Sequence, residues 1–262
     1  MNRLILRILF TLLPLIFAAA VDCHAADKLY LHLKDGRTAL NNKEYEKSVR
    51  ELSAFLEKPN LLADYALFWR AKAYDSISER DKALSDLSQI KTDYPESPLI
   101  KNVLQYEIKL ETAAHSERAI ALIEKYLKDN PDDNTLRLTY AKMLSQFDKE
   151  KDSMREFTRI YIAGGPSSVE AAKYIDIESL GAASILTRAK NLIAKFRYKD
   201  AENELRANIS RAPESLKYQY IENIAMALFK QKNYKEAAEY FNMVGMSYYE
   251  ARSLYRAGMY DK

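Results

Sequence analysis

A ladder of small residues, each followed at a nearly constant distance by a proline, constrains the fold of this chain more than any other feature. The small residues are separated by 35, 36, 34, 48 and 36 residues, and proline follows each of the first five after 11 to 13 residues. The small residues are Ser48, Ala83, Ala119, Ser153, Ala201 and Ala237, and the prolines are Pro59, Pro95, Pro131, Pro166 and Pro213. A recurrent period of this size indicates repeated supersecondary units.

Helix pairs explain the ladder physically. A small residue near the start of a second helix lets it approach the first closely, and proline cannot continue that helix. Tyr45, Tyr198 and Tyr234 each precede a small residue by three positions. One pair cannot cover its own apolar face, so neighbours must stack. We therefore predict an all-α fold, a right-handed superhelical solenoid of helix pairs with a concave side.

Residues 63–95 form the best single copy of the pattern. The first helix is marked by Ala66, Trp69, Ala73 and Tyr74, and the second by Ala83, Leu87, Ile90 and Tyr94-Pro95. This copy resembles the tetratricopeptide repeat, except that Ser78 or Glu79 replaces the turn glycine. The resemblance implies tetratricopeptide-like helix pairs throughout the array.

The interval of 48 residues departs from the period. Residues Ser167 to Leu180 have helical spacing, Ser167 or Ser168 could cap the helix, and Gly181 could end it. We predict one extra helix here. The expected organisation is a first sub-array at 26–166, a break at 167–182 and a second sub-array at 183–262.

The first 25 residues have the features of a cleaved secretory signal. Arg3 and Arg7 are followed by an uncharged apolar stretch from Ile8 to Val21, and Cys23 and Ala25 are small residues at the −3 and −1 positions of a cleavage site after Ala25. A retained anchor and a lipoprotein signal at Cys23 stay open, although Asp22 makes a poor lipobox. We therefore expect an exported, periplasmic protein. Cys23 is the only cysteine, so the mature chain would contain no disulfide.

The last residues resemble the beginning of a further pair. Residues 248–257 have the pattern of a first helix, and 258–262 begin the turn that precedes Tyr198 and Tyr234 in earlier copies. The second helix is expected to start just after Lys262. We therefore expect the native gene product to continue beyond this residue.

The order of segments also resembles the N-terminal superhelical region of soluble lytic murein transglycosylases. Residues 64–98 are similar to the opening pair of that region, and residues 187–204 to the segment after its mid-array break. The resemblance covers most of the mature chain. It implies a peptidoglycan-directed protein whose catalytic domain, with a Glu-Ser motif followed by Gly-Leu-Met-Gln, lies C-terminal to the array.

No catalytic, cofactor-binding or metal site is expected within this chain. Glu-Ser occurs at Glu96, Glu178 and Glu214, and none of the three is followed by Gly-Leu-Met-Gln. The histidines, His24, His32 and His115, lack neighbouring ligand residues. His115-Ser116 is interpreted as a turn and helix cap, and Gly164-Gly165-Pro166 as a helix stop.

Two functions remain open at this point. One is the non-catalytic part of a peptidoglycan lytic transglycosylase, and the other is a stand-alone periplasmic adaptor that binds envelope proteins through its concave face. The formal charge of +3 and the interleaving of Lys with Glu speak against nucleic-acid binding. The 19 tyrosines either fill space between helices or stack on a partner. The partner-binding residues are unknown from the sequence.

Overall fold

The computed structural model describes residues 28–260, and this part of the chain is helical with no β-strand. Its helices are α1 (28–41), α2 (Tyr45–Phe55), α3 (Ala63–Ser76), α4 (Arg80–Asp93), α5 (Ile100–Ala113), α6 (Arg118–Asp129), α7 (Asn134–Gln146), α8 (Glu150–Ala163), α9 (Ser167–Ala171), α10 (Ala182–Ala194), α11 (Tyr198–Asn208), α12 (Glu214–Lys230), α13 (Tyr234–Met243) and α14 (Ser247–Arg256). The predicted all-α fold of helix pairs is confirmed. None of these helices has both the length and the hydropathy needed to cross a bilayer. The predicted signal peptide lies outside the described residues.

The described residues form two compact units, which are divided between Leu122 and Ile123, inside α6. In the first unit, a core of buried side chains lies between α3, α4 and α5, and includes Leu67, Leu87, Ile90 and Val103. The second unit contains a larger core contributed by α10 to α13, with large buried side chains at Leu192, Leu205, Tyr220 and Phe241. The sub-array boundaries at 166 and 182 stay a prediction.

All six small residues of the ladder are at most 1% exposed, as expected for positions where paired helices pack closely. The hydroxyl groups of the two serines among them form the same kind of hydrogen bond. Ser48 Oγ donates to the carbonyl of Gly36, and Ser153 Oγ donates to the carbonyl of Ala141, both at 2.8 Å. Serine therefore replaces alanine at this position without leaving a buried polar group unpaired.

The turn inside each pair is a repeated motif. Its central residue has a positive φ of 50° to 68°, although it is never glycine, in the six turns at Lys43, Ser78, His115, Asp148, Phe196 and Lys232. The next residue donates its N–H to a carbonyl five positions earlier, as Arg197 does to Leu192 at 2.9 Å. This is the Schellman arrangement that ends helices. It shows that Ser78, not Glu79, takes the place of the turn glycine.

Two smaller predictions about helix ends are confirmed. Gly164 ends α8 with a φ of 69°, and an added Cβ there would lie 3.1 Å from Leu192 Cδ2. His115 occupies the left-handed turn position. Ser116 Oγ accepts a hydrogen bond of 3.3 Å from the N–H of Arg118, the first residue of α6.

The prediction of one helix from Ser167 to Leu180 is wrong. After α9 the chain forms two short 3₁₀ turns, Ala172–Tyr174 and Ile177–Ser179, separated by extended residues. Pro166, not a serine, is the N-cap of α9, and Gly181 precedes α10 in an extended conformation instead of ending a helix.

Tertiary packing explains this error. The Tyr174 ring stacks on Phe157 at 4.3 Å with an interplanar angle of 6°. Ala172, Ile175 and Leu180 pack against the same core of α7 and α8. One continuous helix would turn only one apolar stripe toward this core. The irregular path allows side chains along the whole segment to contact it.

The close approach at the ladder positions is directly testable. Replacing Ala201, which is 0% exposed, by leucine inserts a large side chain where α11 meets its neighbours. We expect Ala201→Leu to destabilise the protein by about 2 kcal/mol in chemical denaturation. Asn203→Leu, at an exposed position of the same helix, is the matched control, with an expected change within about 0.5 kcal/mol. Equal stabilities of the two variants would contradict the packing role of Ala201.

A second prediction concerns the docking of α9. Hydrogen bonds from Lys173 at 2.6 Å and Lys142 at 3.0 Å lower the pKa of Glu170 from 4.5 to about 2. A carboxylate with a lowered folded-state pKa contributes stability above its unfolded pKa and loses it as the pH falls through the folded one. Wild type should therefore have a higher Tm than Glu170→Gln at pH 7, and the difference should shrink between about pH 4.5 and 2. A difference that does not change with pH would refute the assignment.

Candidate partner-binding face

The three Glu-Ser dipeptides lie in different parts of the fold. Glu96, Glu178 and Glu214 are all exposed, at a turn, in a 3₁₀ segment and at the first position of α12, respectively. A general acid needs an environment that raises its carboxyl pKa, usually burial. None of these three carboxylates is buried.

His32 and Glu51 connect two helices of the first unit. His32 Nδ1 lies 2.9 Å from Glu51 Oε2, between α1 and α2. No cluster of three His, Cys, Asp or Glu side chains in residues 28–260 is arranged as metal ligands would be.

Several carboxylates that are buried or partly buried form ion pairs with basic residues across helix pairs. Arg70 donates to both Asp86 oxygens at 2.7 and 2.9 Å, and Arg188 donates to Glu204 at 2.8 Å. The acid follows the small residue of the pair by three positions in both cases. Burial raises the pKa of Asp86 against the opposing effect of Arg70. These ion pairs connect one helix to the next.

A surface of the first unit has a different character. It lies on α1, α3 and α5, the first helices of their pairs, and combines aromatic rings with basic side chains. We name it the aromatic–basic strip; it consists of Arg37, Tyr65, Phe68, Trp69, Lys72, Asp75, Tyr106 and Lys109.

One end of the strip is built around Trp69. The Arg37 guanidinium lies 4.9 Å from the centre of the Trp69 ring, and the Tyr65 ring lies 5.9 Å away at a tilt of 59°. Arg37 is exposed and forms no ion pair within the described residues. Trp69 is half-buried, so part of its ring system is open to solvent. An exposed cation beside an accessible aromatic ring is suited to binding a ligand.

The other end of the strip surrounds Lys72. Its ammonium lies 4.5 Å from the Phe68 ring and 5.8 Å from the Tyr106 ring, and no carboxylate of the described chain pairs with it. Lys109 lies 4.7 Å from the Tyr106 ring and bonds Asp75 at 2.8 Å. Burial and, secondly, the charge of Lys109 lower the pKa of Lys72. Tyr106 donates to Asp75 at 2.7 Å.

The chemistry of the strip fits a ligand that carries negative charge and flat faces. Within the described residues, Arg37 and Lys72 lack a carboxylate partner, and Asp75 is the one acidic residue of the strip. Aromatic faces offer stacking area at low conformational cost. Carboxylates bound here would gain charge-assisted hydrogen bonds.

Sequence reasoning missed this strip. It assigned Trp69 to repeat packing and left the partner-binding residues unknown. The spacing of Tyr65, Trp69 and Lys72 could have indicated that they share one face of a helix. The proximity of Tyr106 depends on the packing of α5 against α3 and could not be read from the sequence.

Comparison with known proteins supports the repeat assignment. Residues 65–97 and 186–245 each match a family described as tetratricopeptide repeat. The fold of the described residues is therefore a tetratricopeptide-like arrangement of helix pairs. The first match includes Tyr65, Phe68, Trp69 and Lys72 of the strip. Such repeats generally mediate protein–protein interactions, which indicates an interaction scaffold.

The other comparisons add little. No curated protein sequence matches the chain. Among solved structures, a tetratricopeptide repeat protein from Parabacteroides merdae ATCC 43184 is similar at 14% identity and a TM-score of 0.45, over 84% of this chain and 80% of that one.

The electrostatics of the strip can be tested by titration. We expect Lys109→Gln to raise the pKa of Lys72, because a neighbouring positive charge is removed. The measurement is an NMR titration of the Lys72 Cε resonance. Lys101→Gln, an exposed change on the same helix, should leave that pKa unchanged. An unchanged Lys72 pKa in Lys109→Gln would show that the two ammonium groups do not interact.

Proposed function

We propose that this protein is a non-catalytic scaffold of the cell envelope, exported to the periplasm, and that it forms the N-terminal part of a peptidoglycan lytic transglycosylase. The similarity of residues 64–98 and 187–204 to that class of protein supports the proposal, as does the export signal expected at residues 1–25. In this proposal the aromatic–basic strip binds the peptidoglycan strand, and the chemistry is performed by a separate domain.

The composition of the strip is the observation that carries this proposal. Peptidoglycan combines sugar rings, whose C–H faces stack on aromatic side chains, with peptide stems that end in carboxylates. Trp69 and Tyr65 supply rings at one end, and Lys72 supplies an unpaired cation at the other. Arg37 is exposed beside the Trp69 ring, where it can meet a carboxylate.

The alternative is a stand-alone adaptor. The tetratricopeptide matches favour it, because these repeats generally bind proteins. The strip would then hold an extended acidic segment of a partner protein. Both proposals use the same side chains and differ in what lies against the aromatic rings.

The single tryptophan makes the proposal testable. Trp69 is the only tryptophan of the chain, so intrinsic tryptophan emission reports on the strip alone. The protein is titrated with soluble peptidoglycan fragments, with a neutral chitin oligosaccharide and with a glutamate-rich peptide. We expect a saturable change with the peptidoglycan fragments and, since the neutral sugar lacks carboxylates for the cations, an affinity for it that is weaker by about tenfold or more.

Arg37→Gln serves as the test variant and Lys101→Gln as its control, because each removes one exposed positive charge of the first unit. We expect Arg37→Gln to weaken binding about tenfold, which corresponds to about 1.4 kcal/mol, and Lys101→Gln to have no effect. A response to the acidic peptide alone would favour the adaptor. The absence of any change in emission would rule out the strip as the binding surface.

A further inference from the structure

A cleft in the second unit has a basic lining that the repeat does not require. It has a volume of about 300 Å³ and lies between the C-terminal part of α6, the N-terminal part of α7 and the middle of α8. Its charged residues are Glu124, Lys128, Arg137, Arg155, Glu156 and Arg159.

The cations of this cleft are only partly neutralised by protein groups. Arg159 is exposed and forms no ion pair in the described chain. Arg155 lies 2.9 Å from Asp152 and 3.7 Å from Glu156, while Lys128 lies 3.8 Å from Glu124. The side chains of Arg155 and Lys128 are largely exposed.

The floor of the cleft is a buried guanidinium. Arg137 is 3% exposed, and it donates to Glu156 at 2.6 Å and to the Pro131 carbonyl at 2.8 Å. Its Nε has no hydrogen-bond partner among the described residues. With the three other basic side chains of the cleft, four cations face three carboxylates, those of Glu124, Asp152 and Glu156. The cleft therefore keeps a net positive charge.

The first unit provides an internal comparison. A cleft of about 520 Å³ lies at the corresponding place, and its charged lining residues are Glu57, Lys58 and Arg70. Counted from the small residues, Lys128 corresponds to Glu57, and Arg159 corresponds to Gln89. Arg155 corresponds to Ser85 in the same register. The helix pairs thus form without these three basic side chains, so packing does not explain them.

We propose that the cleft of α6, α7 and α8 is a binding site for a phosphate group. Arg155 and Arg159 lie one helical turn apart on α8, and like charges at this spacing repel each other unless an anion lies between them. Guanidinium groups bind phosphate oxygens through paired hydrogen bonds. Lys128 supplies a third positive charge from α6. The phosphate could belong to a free anion or to a phospholipid headgroup.

The test uses the whole chain. Binding is measured by calorimetry with inorganic phosphate and pyrophosphate, and by flotation with phosphatidylcholine vesicles that contain or lack phosphatidic acid. The test variant, Arg155→Ser/Arg159→Gln, introduces the residues of the first unit's cleft. The control variant, Lys125→Gln/Lys151→Ser, removes two exposed charges, one on α6 and one on α8, from positions that do not line the cleft. Thermal unfolding establishes that both variants remain folded.

We expect saturable binding by wild type and the control, and binding weaker by about tenfold or more in Arg155→Ser/Arg159→Gln, since two of the three exposed cations are lost. Binding to the soluble anions identifies a free phosphate, and binding only to the phosphatidic acid vesicles identifies a headgroup. Either result supports the site. Equal binding by the test and control variants, or no saturable binding to any of these probes, would overturn the proposal.

Discussion

The close approach of each second helix to its first helix determines most of the structure. Because the small residue is buried against the neighbouring helix, the position three residues later also faces that helix. Asp86 and Glu204 occupy this position and meet Arg70 and Arg188 across the pair. The left-handed turn before the small residue fixes the register in which these contacts form. The burial of the small residue and the geometry of the turn together place these ion pairs.

Features that depend on local sequence could be predicted, and features that depend on distant contacts could not. The small residues and the stop at Gly164 follow from short-range sterics. The path after Ser167 does not, because the stacking of Tyr174 on Phe157 competes with helix propensity. The same pattern of apolar residues is compatible with a helix and with an irregular segment, and the neighbouring core decides between them.

The candidate sites were hidden from sequence reasoning for the same physical reason. The sequence does not distinguish Lys72 from the other lysines, because only the fold brings Phe68 of α3 and Tyr106 of α5 beside it. Trp69 fits the repeat pattern, and that pattern gives no sign that Arg37 lies over its ring. In a repeat array, the residues that define the fold recur, whereas the residues that define binding differ from one copy to the next.

That contrast gives the physical argument for function in both units. Most buried acids in the described part of this protein are paired with bases, as the ion pairs around Glu107 and Glu111 illustrate. Against this background, Lys72 is a partly desolvated cation without a carboxylate, and Arg155 and Arg159 repel each other on one helix face. Each arrangement opposes folding, through the burial of a positive charge at Lys72 and through the repulsion of like charges at Arg155 and Arg159. An anionic partner would offset that cost in the bound state. At these positions, the side chains that favour binding therefore lower the stability of the free protein.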